Sequence, residues 1–76
     1  MLEEEKKPRR LTPRELEVLS WLCDGCSNKT ICAGLNISMG TVKSHVGQVL
    51  RKLGASSRLQ AVLAARDRGL VVNVQS

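Results

Sequence analysis

The sequence predicts an all-α fold, a four-helix bundle that contains a helix-turn-helix. Four segments with apolar residues at helical spacing follow one another, and each begins just after a Ser or Thr that can cap a helix. The connection between the second and third segments is only a few residues long, which is typical of a helix-turn-helix. No segment predicts a strand.

The first helix is predicted from residue 13 to about residue 24. Its start has the pattern of a capping box, in which the Thr12 hydroxyl accepts from the backbone N–H of Glu15 and the Glu15 carboxylate reaches back. A proline occupies the first helical position, where its missing N–H costs nothing. Leu11 and Leu16 are placed to form a hydrophobic staple across this start. The residues at core spacing are Leu16, Leu19, Leu22 and Cys23.

The second and third helices are predicted over residues 28–34 and about 39–53, and Ser27 and Ser38 cap them. Asn36 is a good turn residue between the two because it tolerates a positive φ. Gly34 lies inside the second helix, where it costs up to about 1 kcal/mol relative to Ala, so this helix is expected to be less stable than usual. The apolar stripe of the third helix is Val42, Val46, Val49, Leu50 and Leu53.

The fourth helix is predicted over about 58–68. Ser57 and Gln60, three residues apart, repeat the capping box at its start. Glycines stop three of the four helices, at Gly25, Gly54 and Gly69. The chain then divides into a flexible charged tail or linker (residues 1–10), a helix-turn-helix domain (residues 11–70) and a C-terminal tail (residues 71–76).

The length and the charge of the chain limit the classes of function that it can have. Seventy-six residues allow one small domain, and 12 Lys and Arg against 7 Asp and Glu give a net charge of +5. This balance favours an anionic partner, with nucleic acid ahead of a membrane surface. No apolar run approaches the roughly 20 residues that span a bilayer, and the charged N-terminus does not fit a signal peptide. An odd number of cysteines does not make a disulfide framework, so a reduced, cytoplasmic protein is expected.

The side of the third helix opposite its apolar stripe has only small, polar or cationic residues: Gly40, Lys43, Ser44, Gly47, Gln48 and Arg51. Such a face can enter the major groove of DNA, where Lys43 can reach guanine acceptors and Ser44 either kind of base edge. Taken alone, it also fits an ordinary solvated helix face. Together with the short turn before it and the basic charge, it predicts contact with double-stranded DNA.

Several stretches of the chain match one family pattern, in order and without gaps. They are residues 11–19 (LTPRELEVL), 25–29 (GCSNK), 41–46 (TVKSHV), 50–54 (LRKLG) and 57–62 (SRLQAV). Together these stretches resemble the LuxR/FixJ/NarL-type helix-turn-helix domain of bacterial transcription regulators. The resemblance implies a tetrahelical domain whose second and third helices form the helix-turn-helix and whose fourth commonly dimerises. Such a domain is usually the C-terminal effector of a response regulator or a quorum-sensing receptor.

The resemblance also implies which residues touch DNA. It places Lys43, Ser44 and Gly47 at base-reading positions. Gly47 often matches a longer polar residue in the family, so base readout there is expected to be lost or to pass to Gln48. Contacts to DNA phosphates are expected from Ser27, Asn28, Lys29, Thr41, Arg51 and Lys52, among which the lysines and the arginine supply a salt-dependent attraction.

The fourth helix is expected to form a homodimer contact. Its small residues suit the core, which leaves Leu59, Leu63 and Arg66 pointing outward. Two leucines at positions i and i+4 on an exposed face suggest a contact surface, and the family uses this helix in that way. The alternative is that Leu63 only covers the edge of a thin core. RNA polymerase is a further partner that this class of regulator implies.

No cofactor, metal site or catalytic residue is predicted. Cys23 and Cys26 form a C-x-x-C and Cys32 follows, but a zinc site wants four ligands and only His45 remains as a nitrogen donor. The cysteines are therefore interpreted as small packing residues. The sequence contains nothing like a hydrolytic triad, a paired-carboxylate site or a phosphate-binding glycine loop, so an enzyme is not expected.

Two other functions fit parts of the sequence. A sigma-factor region-4-like DNA-binding domain fits residues 38–44 almost as well, but it does not fit residues 54–62. A helix-turn-helix module used for protein interaction is left open by Gly47 and by the few long side chains on the third helix. Salt-sensitive binding to duplex DNA separates this last alternative from a DNA-binding regulator.

Overall fold

The computed structural model describes residues 10–70, and all of the regular structure in that range is helical. This confirms the all-α prediction. The two predicted tails, residues 1–10 and 71–76, lie outside the described residues except for Arg10. The helices are α1 (Pro13–Cys23), α2 (Asn28–Leu35), α3 (Met39–Leu53) and α4 (Arg58–Arg68).

The four predicted N-caps are all present. Thr12 Oγ1 accepts from the N–H of Glu15 at 3.1 Å, and the N–H of Thr12 donates to Glu15 Oε1 at 2.9 Å, which closes the capping box. The hydroxyls of the other three caps each accept from the backbone amide three residues later, and these caps are Ser27, Ser38 and Ser57. Helix starts are fixed by contacts between near neighbours, which is why the sequence locates them well.

The second capping box at Ser57 is only half formed, so that detail of the prediction is wrong. Ser57 Oγ accepts from the N–H of Gln60 at 3.1 Å, as expected. Gln60 Oε1, however, accepts from the N–H of Ser56 at 2.9 Å and from Ser56 Oγ at 2.7 Å. Ser56 offers two donors to the same oxygen, whereas Ser57 offers one, so the glutamine side chain bonds one residue further back.

The turn of the helix-turn-helix ends α2 at a left-handed residue, as predicted. Asn36 has φ 59° and ψ 48°, and the N–H of Ile37 then donates to the carbonyl oxygen of Cys32 at 3.1 Å. This bond reaches back over the last turn of α2, and α3 starts at Met39 after a connection of three residues.

The core is small and aliphatic. Helix α1 packs against α3 and α4, and α2 packs against α3. The buried apolar residues are Val18, Leu19, Leu22, Ile31, Val42, Val46, Val49, Leu53, Ala61 and Ala65. Among the residues predicted at core spacing in α1 and α3, three are only half-buried: Leu16, Cys23 and Leu50. Sequence analysis also missed Val18, which is fully buried because α1 has to cover two helices at once and its buried stripe turns accordingly.

Gly34 lies directly against the ring of Trp21. A Cβ added to Gly34 would overlap Cη2 of Trp21 and lie 2.7 Å from Cζ2. The six-membered ring of the indole therefore packs directly on the backbone of α2, and only glycine leaves room for it. Helix propensity and the tertiary contact with α1 therefore act in opposite directions at this position.

An ion pair joins the start of α1 to the end of α3. Lys52 Nζ lies 2.8 Å from Glu15 Oε1 and also donates to the carbonyl oxygen of Arg10 at 3.2 Å. Burial of Glu15 acts to raise the pKa of its carboxyl group. The hydrogen bonds from Lys52 and Thr12, together with the charge of Lys52, outweigh that effect, and the pKa of Glu15 is lowered.

Candidate nucleic-acid interface

Helix α3 has two chemically distinct faces. Its buried face holds Val42, Val46, Val49 and Leu53, which attach it to the rest of the bundle. The opposite face is exposed and consists of Gly40, Lys43, Ser44, Gly47 and Arg51. With about 1.5 Å of rise per residue, the 15 residues of α3 extend about 22 Å, which is enough to lie along a stretch of the major groove.

Three of the four predicted base-reading residues lie fully on this face. Lys43 and Ser44 are exposed one full turn after the cap of α3, and Gly47 is exposed one turn further on. Gln48 is different, because its side chain is half-buried and its Oε1 accepts from Arg51 Nη2 at 2.8 Å. The structure therefore brings Lys43 and Ser44 together as free polar ends and pairs Gln48 with Arg51.

The two glycines of this face are not required by the fold. A Cβ at Gly40 or at Gly47 would meet no atom within 4 Å. A longer side chain would fit at either position, so the glycines leave the backbone of α3 uncovered on both sides of Lys43 and Ser44. A DNA groove could approach the helix closely at these points.

Two helix N-termini present hydroxyl groups and main-chain amides. At α2, Ser27 Oγ accepts from the N–H of Thr30 and donates to Thr30 Oγ1, both at 3.2 Å. At α3, Ser38 Oγ accepts from the N–H of Thr41 at 3.2 Å and lies 2.9 Å from Thr41 Oγ1. The first amides of a helix lack intrahelical partners and favour anions. The predicted phosphate contacts Ser27 and Thr41 therefore stand where such contacts are favourable, and Lys29 is exposed beside the first of them.

Lys52 does not belong to the exposed face. Its ammonium group is engaged by Glu15 and by the carbonyl of Arg10, and only 18% of its side chain is exposed. Binding a phosphate would require Lys52 to leave a buried carboxylate without its partner, which is unfavourable. Lys52 therefore contributes charge near the surface but is not a free contact residue.

Arg58, the first residue of α4, has a structural role that was not predicted. Its Nη1 donates to Asn28 Oδ1 at 2.6 Å and its Nη2 donates to the carbonyl oxygen of Cys26 at 2.8 Å. Asn28, a predicted phosphate contact, is therefore half-buried and held by another helix. The pairing spans 30 residues along the chain, and no local pattern could have revealed it.

Two exposed leucines lie on the outer face of α4, as predicted. Leu59 is 66% exposed and Leu63 is 53% exposed, and Arg66 is exposed beside them. Ala61 and Ala65 on the other face are fully buried. More than half of the surface of each leucine is therefore exposed to solvent.

The cysteines lie half-buried at the margin of the core with no disulfide among them. Burial, aided by Asp24 and opposed by Arg66, raises the pKa of the Cys23 thiol, so this group stays protonated at neutral pH.

Among residues 10–70, no three His, Cys, Asp or Glu side chains come together as metal ligands would. Each helix in the same range is too short or too polar to cross a bilayer.

A short turn joins two capped helices, and the second of these helices has one polar, cationic face. This arrangement defines a class of protein. This is a helix-turn-helix DNA-binding domain of the kind found in transcription regulators. The family model GerE, described as bacterial regulatory proteins of the luxR family, matches residues 9–65. The chain belongs to the LuxR family of bacterial regulatory proteins. This assignment removes the sigma-factor alternative.

The proteins to which this chain is similar support the family assignment. The chain is 52% identical over 60 residues to the nitrate/nitrite response regulator protein NarP of Escherichia coli, covering 78% of this chain and 28% of NarP. It is 45% identical over 69 residues to the transcriptional regulatory protein DegU of Brevibacillus brevis, covering 90% of this chain and 29% of DegU. The chain thus spans less than a third of the length of these curated relatives.

Two solved structures share the fold. The response regulator ChrA of a heme-sensing two-component system superposes with a TM-score of 0.82 and 41% identity, covering 92% of this chain and 35% of ChrA. The transcription factor GerE superposes with a TM-score of 0.75 and 38% identity, covering 84% of this chain and 97% of GerE. Nearly all of the GerE chain therefore corresponds to the matched part of this chain.

Proposed function

We propose that this chain reads double-stranded DNA in a sequence-specific way as a homodimer, with α3 in the major groove and α4 at the dimer contact. The observation that supports this most directly is the exposed, small and cationic face of α3 on a helix anchored by four buried residues. A rigid helix that carries short polar side chains can enter the groove and hold them at fixed depth.

Base readout is assigned to Lys43 and Ser44. Lys43 can donate to the O6 and N7 atoms of guanine, and the Ser44 hydroxyl can donate or accept at a base edge. At Gly47 the backbone itself approaches the DNA, and Gln48, whose Oε1 accepts from Arg51, takes part through its Nε2 donor. Phosphates are held by Lys29 and Arg51 and by the polar groups at the two helix N-termini, from Ser27, Asn28 and Thr41.

Dimerisation is assigned to the outer face of α4. Leu59 and Leu63 are one helical turn apart, and burying both against a second copy removes two large apolar side chains from water. Arg66 borders this pair and can bond across the two-fold axis. A symmetric dimer repeats the same contact twice and would match an operator made of two inverted half-sites.

The longer protein context is also part of the proposal. The curated relatives NarP and DegU are more than three times as long as the part that this chain matches. We propose that the domain serves as the output part of a response regulator in the bacterial cytoplasm. A similar protein, the glycerol metabolism activator of Pseudomonas putida, is named as an activator, which supports RNA polymerase as a second partner.

Selection of bound duplexes from a random DNA library at moderate salt tests the function. Enrichment of an inverted repeat with half-sites about one helical turn apart would support the dimeric regulator. A single unrepeated motif would instead indicate a monomeric reader. The control is Lys43→Glu, which keeps a helix-compatible side chain on the same exposed face and should recover no enriched duplex. Absence of enrichment with the wild-type chain would favour the helix-turn-helix module used for protein interaction.

A further inference from the structure

The guanidinium of Arg58 joins the start of α4 to the start of α2. Its two bonds, to Asn28 Oδ1 at 2.6 Å and to the carbonyl oxygen of Cys26 at 2.8 Å, lie on either side of Ser27, which caps α2. Arg58 is half-buried, so this contact is partly shielded from water. A planar, two-pronged donor therefore fixes the first turn of α2 against another helix.

Contact with Arg58 also decides which end of the Asn28 amide points away from the guanidinium. A guanidinium has only N–H donors, so the Asn28 atom that faces it must be the acceptor Oδ1. The amide nitrogen Nδ2, which is a donor, then occupies the other branch of the side chain. Phosphate oxygens accept hydrogen bonds, so Nδ2 is the end of Asn28 that can bind DNA.

We infer that Arg58 is a positioning residue for DNA-backbone recognition, which fixes the first turn of α2 and orients Asn28 so that Nδ2 meets a phosphate. The inference rests on the proposed function, because it concerns a phosphate contact of the helix-turn-helix. Both terminal nitrogens of Arg58 donate to the protein's own acceptors, which supports an action of Arg58 through Asn28. Its neighbour Leu59 belongs to the proposed dimer contact. The first turn of α4 would therefore take part in both DNA binding, through Asn28, and dimerisation.

The discriminating variant is Arg58→Lys, which keeps the positive charge but cannot donate along both bonds of the fork. Arg68→Lys is the matched control, because Arg68 lies on the same helix and its Nη2 donates to a single acceptor, the carbonyl oxygen of Leu53 at 3.3 Å. The full chain is titrated against a fluorescent duplex of about 20 base pairs recovered from the random library, at several salt concentrations.

Arg58→Lys is expected to bind this duplex about five- to tenfold more weakly than the wild type, since a charge-assisted bond and the phosphate contact it orients are lost. Its salt dependence should stay unchanged, because no charge is removed. Arg68→Lys should bind like the wild type. Equal affinities of Arg58→Lys and Arg68→Lys would overturn the inference while the proposed function stands. A wild-type chain with no salt-dependent binding would overturn the proposed function itself.

A second variant, Asn28→Asp, tests the inference independently. It remains informative if Arg58→Lys does not fold. The carboxylate keeps an acceptor for Arg58 and suits a helix N-terminus, so the melting temperature should not fall. Because the Nδ2 donor is lost, DNA affinity should fall about tenfold further than in Asn36→Asp, which makes the same charge change in the turn after α2. Equal losses in Asn28→Asp and Asn36→Asp would overturn the inference.

Discussion

Substitution of Gly34 by alanine tests whether tertiary packing overrides helix propensity in α2. On propensity alone the change would stabilise the protein by up to about 1 kcal/mol. The added Cβ, however, would overlap Cη2 of Trp21 and lie 2.7 Å from Cζ2. The indole must then move away from α2, or α2 must move away from α1. We therefore expect Gly34→Ala to destabilise the fold.

The size of this effect follows from the ring that is displaced. Trp21 is half-buried, and an indole buries about 150–250 Å² when fully covered, so moving it into water exposes about 100 Å² of apolar surface. At about 25 cal/mol per Å² this costs about 2.5 kcal/mol. Subtracting the propensity gain of about 1 kcal/mol leaves a net loss of about 1.5 kcal/mol. In a domain of this size such a loss lowers the melting temperature by roughly 6–12 °C.

Thermal unfolding followed by circular dichroism measures the effect, and Gly47→Ala is the matched control. A Cβ at Gly47 meets no atom within 4 Å, so this variant should gain about 1 kcal/mol. In a Trp21→Leu background, where the ring is absent, Gly34→Ala should become stabilising. Because Trp21 is the single tryptophan of the chain, its fluorescence reports the displaced ring separately. Stabilisation of the wild-type background by Gly34→Ala would refute the reasoning.

Three further predictions concern the ion pair, the groove-facing helix and the dimer contact. Because the folded pKa of Glu15 is lowered, its pairing with Lys52 stabilises the fold fully above about pH 5, where unfolded glutamate is ionised, and the benefit is lost as the pH falls. The difference in melting temperature between wild type and Glu15→Gln should therefore shrink from pH 7 to pH 3, and a constant difference would contradict this. Lys43→Ala should cost about 1–3 kcal/mol and relax the sequences recovered by selection, whereas Lys29→Ala should weaken all duplexes alike. If Lys43→Ala instead weakened binding to all duplexes equally, Lys43 would be a phosphate contact. Leu63→Glu should abolish dimers and tight operator binding but keep the helical spectrum, and unchanged sedimentation and binding would exclude the α4 contact.

The candidate site was predictable where it depends on helical periodicity. Once the valines of α3 are assigned to the core, the 3.6-residue repeat places Lys43, Ser44 and Gly47 on the opposite face, and the structure confirms that they are exposed. The periodicity could not show that Lys52 is withdrawn into an ion pair. Its partner Glu15 lies 37 residues earlier and had a complete local role as a capping residue.

The sequence by itself determined the number, order and ends of the helices. Capping hydroxyls, left-handed turn residues and apolar spacing act within a few residues, so they can be read along the chain without knowing the fold. Only the tertiary structure decided which side of α1 is buried, why Gly34 is needed beneath Trp21, and which acceptors Arg58 takes. These features join different helices, and their energies depend on a meeting of side chains that local patterns do not encode.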